Sequence, residues 1–308
     1  MKILFLDSGF DEMNEILRKE RKKYKCDSVC LYKYEKRNMI FKLVQFIGIY
    51  FFSPILYLIY GEWKKRINDY DLIIIPSRKS AKYAINIIKK RKKRLIVWYW
   101  NIVTNKELDP EYCRNKGCET WTFDKYESEK YGMKFGDTYY FPNIKKNDLK
   151  KELCLFYVGI NRPGREELLN SLKEVLEKNN LSYKFVLTAF PNASKKEKEK
   201  YDKRLEYHEV LEYINKSDAI LDLNRDNQTG LTIRPVEALF FHKKLITNNK
   251  NIKKYKIYEN KNIFILDNDI EELLHFLKEK NYEFPEKLID YYSFESWLKR
   301  ICNNEEGE

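Results

Sequence analysis

The stretch that decides the fold lies in the second half of the chain and reads Gln228-Thr229-Gly230-Leu231-Thr232-Ile233-Arg234-Pro235-Val236-Glu237. The apolar run 219–223 before it predicts a buried β-strand, and residues 232–242 predict a helix. The polar segment 224–230, which holds a single glycine, predicts a loop at the carboxyl end of that strand. Because ligands of parallel α/β sheets bind at these strand ends, the sequence predicts a binding loop here.

The start of the predicted helix suits a diphosphate. Thr232 is a favourable N-cap, and Pro235 is tolerated in the first turn. The free backbone N–H groups of this turn and the helix dipole favour an anion, and Arg234 offers a bidentate contact to phosphate oxygens. Glu237 lies on the same face and suits two vicinal ribose hydroxyls. The alternative is a surface helix on which Arg234 and Glu237 form an i,i+3 ion pair, which does not explain the loop before it.

A second glycine loop follows the apolar run 155–159, in the order strand, loop, helix. Gly159 allows a ligand to approach the backbone closely. Arg162 or Arg165 would reach a diphosphate from the side opposite Arg234. Glycines after strands are common, so this loop alone is weak evidence for a binding site. It supports such a site because both loops follow strands of one predicted domain.

Further apolar runs predict two successive α/β domains. Predicted strands of the first half lie at 2–7, 72–76, 94–100 and 119–124, and those of the second half at 155–159, 184–188, 219–223, 244–247 and 262–266. Helices are predicted between them, among others at 79–93, 166–178, 209–216 and 270–279. Such alternation is typical of parallel, doubly wound sheets. A lysine-rich linker at 145–151 predicts domains at 1–148 and 149–308.

The positive charge is concentrated in the first third of the chain. The net charge is +12, and residues 1–100 contain 23 Lys and Arg against 10 Asp and Glu, a local excess of 13. Such asymmetry favours an anionic partner, either lipid headgroups or nucleic acid, although a solubilising Lys-rich surface is an alternative. Because no nucleic-acid-binding module is recognisable, we predict no nucleic-acid partner.

The apolar segment 39–60 has Lys42 as its only charge. Its length would allow a membrane span, but predicted strands of one sheet lie on either side of it in the chain, and Gly48 and Pro54 interrupt it. It therefore forms either buried core helices or an interfacial element that dips into one membrane leaflet. The basic flanks 33–37 and 64–66, with Trp63 beside them, favour the membrane interface.

The motifs above resemble those of GT-B glycosyltransferases, specifically bacterial enzymes of lipopolysaccharide and surface-polysaccharide biosynthesis. The resemblance covers about 120–266, is faint before residue 70, and rests on the segments 122–124, 131–132, 156–165, 219–223, 228–239, 243–249 and 262–265. It implies the GT-B fold, an α/β architecture in which two Rossmann-like, doubly wound domains face each other across a cleft. It also implies a final helix, 294–301, that crosses back to pack on the first domain.

The resemblance implies that the second domain holds a nucleotide sugar, with Arg165 and Arg234 on the diphosphate and Glu237 on the ribose. The family's usual pattern has a second Glu eight positions earlier, where this chain has Thr229, so sugar contacts would fall to Gln228 or Thr229. The predicted donor-binding residues are Gly159, Arg162, Arg165, Thr188, His208, Gln228, Thr229, Gly230, Leu231, Thr232, Arg234 and Glu237.

The acceptor side is expected at strand ends of the first domain, at Ser8, Gly9, Trp100 and Asn101. An inverting transfer needs a general base there, and all three His lie in the second domain. The candidates are Asp7, Asp11, Glu107 and Asp124, of which we favour Asp7 and Asp124. For each of them a cap or turn role is the alternative, and a retaining mechanism needs no protein base.

Two acidic tripeptides, 222–224 and 267–269, look like the metal-holding motif of other glycosyltransferases, but the second is better explained as a turn and helix cap. Because a helix dipole and arginines already stabilise the charge of the phosphates, we predict no metal and no cofactor.

The predicted function is a hexosyltransferase-type enzyme that uses a UDP- or GDP-sugar. It would act on a lipid-linked or surface-glycan acceptor, as a peripheral protein at the cytoplasmic face of the bacterial membrane. The alternatives are a non-catalytic GT-B-like protein that binds glycan or nucleotide and, in another class, a nucleic-acid-binding protein.

Overall fold

The computed structural model describes residues 1–33, 38–144, 149–191, 193–225, 228–259, 261–266 and 269–307. The chain divides into two compact units, one formed by Met1–Asp137 with Leu298–Gly307 and the other by Thr138–Trp297. Most of the predicted linker, 145–148, lies outside the described residues, as does the basic flank 34–37. The donor and acceptor roles assigned to residues 149–308 and 1–148 stay predictions.

The first unit contains a parallel sheet with the strand order β2-β1-β3-β4-β5-β6. Its strands are β1 Ile3–Asp7, β2 Cys26–Cys30, β3 Leu72–Pro76, β4 Arg94–Tyr99, β5 Glu119–Thr122 and β6 Lys134–Phe135. The four predicted strands are confirmed. β2 and β6 were missed because β2 alternates polar with apolar residues and β6 has only two residues, so neither forms an apolar run.

The helices of the first unit are α1 Glu12–Lys23, α2 Met39–Tyr50, α3 Lys82–Lys89, α4 Pro110–Asn115 and α5 Lys125–Tyr131. The helix predicted over 79–93 is wrong at both ends, since residues 79–81 form a 3₁₀ turn and α3 stops at Lys89. The buried face of α3 ends at Ile88, and no apolar residue follows before Leu95 to anchor another turn.

The second unit contains a parallel sheet with the strand order β11-β10-β9-β7-β8. Its strands are β7 Leu153–Ile160, β8 Tyr183–Thr188, β9 Ser217–Asp222, β10 Lys244–Thr247 and β11 Ile263–Ile265, and all were predicted to within two residues. Its helices are α6 Arg165–Lys178, α7 Lys195–Lys198, α8 Tyr207–Lys216, α9 Ile233–Phe240, α10 Ile270–Lys278 and α11 Glu286–Tyr291. The predicted cap of α10 is confirmed at Asp269, while 267–268 lie outside the described residues.

The last helix, α12 Phe294–Asn303, begins in the second unit, and its residues from Leu298 onward belong to the first. Near its carboxyl end, the Arg94 guanidinium donates to the backbone oxygens of Ile301 and Cys302, at 3.0 Å and 2.6 Å. These contacts attach the end of α12 to strand β4 of the first unit.

Candidate functional site

The carboxyl end of β9 is joined to the start of α9 through Asp222. Its carboxylate accepts hydrogen bonds from the hydroxyls of Thr232, at 2.8 Å, and Thr247, at 3.2 Å. The Thr232 hydroxyl oxygen accepts in turn from the backbone N–H of Arg234, which confirms the predicted N-cap. Burial raises the pKa of Asp222. This carboxylate therefore holds the strand end and the helix start in one fixed arrangement.

The predicted binding loop after β9 is held by asparagines. The Asn224 amide donates to the backbone oxygens of Gln228 and Gly230, and the Asn249 amide donates to that of Thr229. The backbone N–H of Asn224 donates to the Asn248 side chain at 2.7 Å. Residues 226–227 of the loop lie outside the described residues. Sequence reasoning did not assign these asparagines, although the run Asn248-Asn249 at a strand end was a usable signal.

Arg234 and Glu237 form a buried ion pair at the start of α9. One carboxylate oxygen of Glu237 bonds the Arg234 guanidinium, and the other accepts from the Tyr207 hydroxyl at 2.8 Å. Burial raises the pKa of Glu237, while Arg234 acts in the opposite direction. The i,i+3 ion pair of the alternative interpretation is therefore present. The helix that carries it is not a surface helix, however, because residues 235–239 are buried. The ribose contact expected for Glu237 stays a prediction.

Three arginines gather at the carboxyl ends of β7 and β9. The Arg165 guanidinium donates to the backbone oxygens of Ile160 and Leu223, and Arg162 lies over the Phe190 ring at 5.3 Å. Burial and the nearby charges of Arg225 and Arg165 lower the pKa of Arg162. Within the described ranges, none of the three arginines forms an ion pair with a carboxylate. The carboxylate of Asp222, whose pKa burial raises and Arg165 acts to lower, is held by two threonines instead. Clustered cations without a direct ion pair are suited to bind an anion. Arg225 was missed, because in sequence it is only one polar residue of a loop.

Two other predicted donor residues, Gly159 at the end of β7 and Thr188 at the end of β8, lie next to each other, and Gly159 lies beside Arg165. A Cβ atom at position 159 would lie 2.3 Å from the Tyr157 hydroxyl, so any residue other than glycine would force the Tyr157 side chain to move. The Thr188 hydroxyl donates to the Gly159 backbone oxygen at 3.4 Å. Leu231 is buried, so it offers backbone groups only, and His208 is exposed in the first turn of α8.

The predicted residues of the first unit lie where β1, β4 and β5 end. Arg18 binds the Asp7 carboxylate with two hydrogen bonds, at 2.6 Å and 2.7 Å, and Arg21 lies 4.0 Å away. Asp124 caps α5, accepting from the backbone N–H of Tyr126 at 3.0 Å. The cap considered as an alternative for Asp124 is therefore present, and the role of either carboxylate as a base stays a prediction.

The other two carboxylates considered as a base also have partners. Asp11 caps α1 and accepts from the backbone N–H of Asn14 at 3.0 Å. Glu107 is buried and accepts from the Ser77 hydroxyl at 2.6 Å and from Arg78 at 2.9 Å. Both carboxylates therefore have a structural function in the first unit.

The acceptor-side residues follow β1 and β4, two strands that β3 separates in the sheet. The Gly9 backbone N–H donates to the Asp7 carboxylate at 3.2 Å, and Trp100 packs edge-on against Trp98. Ser8 and Asn101 are half-buried. The structure thus brings Gly9 and Asp7 together, but it places Trp100 and Asn101 at another strand end.

Glu127 of α5 was missed by sequence reasoning. One carboxylate oxygen accepts from the backbone N–H of Val103 at 2.6 Å, and the other, also buried, has no hydrogen-bond partner among the described residues. Burial raises the pKa of Glu127 to about 7; Asp124 and Glu107 act in the same direction, and Val103 and Lys130 oppose them. Its spacing from Asp124 suggests an ordinary capping box, so only the fold reveals the contact to the loop after β4.

The segment 39–60 forms α2 and a 3₁₀ turn, Ser53–Leu58, rather than one long helix. One face of α2 packs inward through Phe41 and Gly48. The opposite face and the turn expose an apolar surface, which we define as Met39, Ile40, Leu43, Phe46, Tyr50, Phe51, Phe52, Tyr57 and Leu58. A search of the described residues finds no helix long and apolar enough to cross a membrane.

Basic side chains lie next to the apolar surface. The Lys64 ammonium donates to the Tyr57 backbone oxygen at 3.0 Å and lies 4.1 Å from the centre of the Tyr57 ring. Lys65 pairs with the exposed Glu62, and Lys33 and Lys64 both lie close enough to lower the pKa of Glu62. Lys64 and Lys65 thus border the apolar surface at Tyr57, and Lys33 lies near Glu62 beside them.

The described residues contain no group of three or more His, Cys, Asp or Glu side chains that could hold a metal ion. In the tripeptide 222–224, the Asp222 carboxylate accepts hydrogen bonds from two threonines, and the Asn224 amide donates to the loop backbone.

Comparison with known proteins adds information on the fold. No protein-family model and no curated protein matches this chain. Among solved structures, HepE (Alr3699) of Anabaena, in complex with UDP and glucose, matches with a TM-score of 0.64 at 11% identity, over 99% of both chains. The fold is GT-B. The predicted fold class is therefore confirmed.

Two further structures match over the whole chain. The lipopolysaccharide outer core galactosyltransferase WaaB matches with a TM-score of 0.53 at 13% identity, over 98% of both chains. The UDP-GlcNAc 2-epimerase of Methanocaldococcus jannaschii matches with a TM-score of 0.56 at 10% identity, over 99% of both chains. At such identities the likeness shows the fold alone.

Proposed function

We propose that this protein is a glycosyltransferase that takes a sugar from a UDP- or GDP-sugar held at the carboxyl ends of β7 and β9. The observation that carries the proposal is the cluster of Arg162, Arg165 and Arg225, none of which forms a direct ion pair with a carboxylate in the described part of the chain. A diphosphate supplies the negative charge that this cluster lacks. The N-terminus of α9, fixed by Asp222 and Thr232, adds backbone N–H groups to the same site.

The remaining predicted donor residues complete the proposed site. Gln228, Thr229 and Gly230 lie on the asparagine-held loop, where the transferred sugar would sit. Because arginines and a helix N-terminus stabilise the leaving diphosphate, the proposed transfer needs no metal. Asp7 and Asp124 remain the proposed bases for an inverting reaction, with Ser8, Gly9, Trp100 and Asn101 on the acceptor side.

Structures of the same fold support a nucleotide-sugar substrate. HepE was solved with UDP and glucose, and WaaB is named a galactosyltransferase of the lipopolysaccharide outer core. The same fold also occurs in a UDP-GlcNAc 2-epimerase, so the fold does not separate sugar transfer from epimerisation. The apolar surface favours transfer, since an epimerase of a soluble nucleotide sugar has no need for a membrane.

We further propose a lipid-linked or surface-glycan acceptor at the cytoplasmic face of the bacterial membrane. The support is the apolar surface of α2 and its 3₁₀ turn, with lysines at its border. Exposed apolar side chains beside cations are suited to anionic lipid headgroups and the acyl chains beneath them. The excess of 13 positive charges in residues 1–100 adds long-range attraction to the same surface.

A ligand screen followed by product analysis tests the proposal. The thermal unfolding midpoint is measured with UDP, GDP, UMP and a panel of nucleotide sugars, and a bound donor should raise it in proportion to its affinity. Arg165→Ala should abolish the shift, whereas Arg91→Ala, which removes an equal charge from the first unit, should not. Absence of any nucleotide-dependent shift in the wild-type protein would refute the donor site.

Product analysis then separates the candidate reactions. With a lipid-linked acceptor, a transferase releases nucleoside diphosphate and adds the mass of one sugar to the acceptor. An epimerase converts the donor into an isomer of equal mass without any acceptor. Donor binding without either product would favour the non-catalytic alternative.

A further inference from the structure

The environment of Glu237 assigns it a role other than contact with the ribose. We infer that Glu237 is a positioning residue that holds Arg234 toward the diphosphate, and that other groups bind the ribose hydroxyls. This inference rests on the proposed function. The Glu237 side chain is fully buried, whereas that of Arg234 is 17% exposed. Only Arg234 of this pair therefore presents a surface to a ligand.

Both oxygens of Glu237 are already engaged. One bonds Arg234, and the other accepts from Tyr207, whose hydroxyl lies 2.7 Å from that of Tyr140. Tyr140 is held by its backbone, since its N–H donates to the Tyr292 oxygen and its own oxygen accepts from the N–H of Phe294, both at 2.8 Å. A buried chain of contacts thus runs from this backbone pairing to Arg234.

Because the Glu237 side chain is fully buried, a ribose could reach its carboxylate only by displacing one of these partners. Displacing Arg234 would leave a buried carboxylate and a buried guanidinium without each other, which is strongly unfavourable in a site of low polarity. Displacing Tyr207 would take away the acceptor of its hydroxyl. Since, among the described residues, the Tyr207 and Tyr140 hydroxyls would then bond only each other, one buried hydroxyl hydrogen of this pair would be left without an acceptor. The existing arrangement instead fixes the Arg234 charge in advance, so that binding a diphosphate requires little reorganisation.

The experiment compares how tightly the protein binds UDP, 2′-deoxy-UDP and uridine, or the guanosine series if GDP binds the wild-type protein better. Glu237→Gln keeps the shape and removes the charge that holds Arg234. We expect the affinity for UDP to fall about tenfold or more, the preference for UDP over uridine to shrink, and the preference for UDP over 2′-deoxy-UDP to stay as in the wild-type protein. The preferences are ratios within one variant, so a partly unfolded sample does not change them.

Two further variants keep the inference testable if Glu237→Gln folds poorly. Tyr207→Phe removes one partner of Glu237 and should give the same pattern in milder form. Tyr213→Phe makes the same chemical change in the same helix, on a ring that stacks on Phe156 instead, and should leave all three affinities unchanged.

A failure of the inference about Glu237 can be distinguished from a failure of the proposed function. A loss of the preference for UDP over 2′-deoxy-UDP in Glu237→Gln, with the preference over uridine retained, would place Glu237 on the ribose and overturn the inference alone. Unchanged UDP affinity in both Glu237→Gln and Tyr207→Phe would also overturn it. A wild-type protein that binds no nucleotide would overturn the proposed function together with the inference.

Discussion

Replacing three exposed phenylalanines of the apolar surface by serine should release the protein from anionic membranes. Phe46, Phe51 and Phe52 have 53%, 77% and 60% of their surface exposed. Burying a whole phenylalanine side chain contributes about 1.5–3 kcal/mol, so these exposed fractions together correspond to about 3–6 kcal/mol on insertion. The triple variant should therefore bind membranes about 100-fold to 10,000-fold more weakly.

Sedimentation with vesicles measures this loss. Vesicles of mixed phosphatidylglycerol and phosphatidylcholine are titrated at low salt, and the bound fraction gives the partition coefficient of each variant. A matched control replaces three exposed apolar residues elsewhere, Tyr126, Ile270 and Tyr282, by serine. Urea unfolding of both triple variants checks that the fold is retained.

The outcome decides whether the apolar surface is the membrane contact. The control should bind vesicles as the wild-type protein does, and raising the salt should weaken binding because the bordering lysines are screened. Equal binding of the triple variant and the wild-type protein would refute the assignment, and so would a wild-type protein that binds no vesicles.

Between pH 4.5 and about 7 the folded protein holds a proton on Glu127 that the unfolded chain has already lost, because burial raises the pKa of this carboxyl. The contribution of Glu127 to stability therefore falls as the pH rises through this window, by at most about 3 kcal/mol. Urea unfolding across the window should show a flatter pH profile for Glu127→Gln than for the wild-type protein, and parallel profiles would contradict the raised pKa. Arg162→Ala and Arg225→Ala should each weaken nucleoside-diphosphate binding about tenfold, and calorimetry should show that binding depends less on salt in each variant. An unchanged affinity in both variants would show that these arginines do not bind the diphosphate. Gly48→Ala should lower the free energy of unfolding in urea by about 1–3 kcal/mol, because the new Cβ would lie 2.4 Å from the Leu56 side chain. If this clash is the cause, the same substitution should be less destabilising in a Leu56→Ala background.

Local patterns determined most of the regular structure in advance. The strands of the second unit were predictable because buried parallel strands are continuous apolar runs, which need no knowledge of their neighbours. The cap at Thr232 was predictable for the same reason, since a threonine and the N–H two residues later are fixed by local geometry. Where the run was short or mixed, as in β2 and β6, the local signal failed.

The sequence by itself thus determined the two α/β units, the strand ends that carry the glycine loops, and the basic, apolar character of residues 1–100. Only the tertiary structure decided which groups meet. It joined Tyr207 to Glu237 across 30 residues of chain, brought the charge of Arg225 close to Arg162, and paired Glu127 with Val103 of another loop. It also decided that one face of α2 is buried and the other exposed. The physical reason is that propensities, caps and apolar periodicity act between residues a few positions apart, whereas burial, ion pairing and pKa depend on which distant segments the fold packs together.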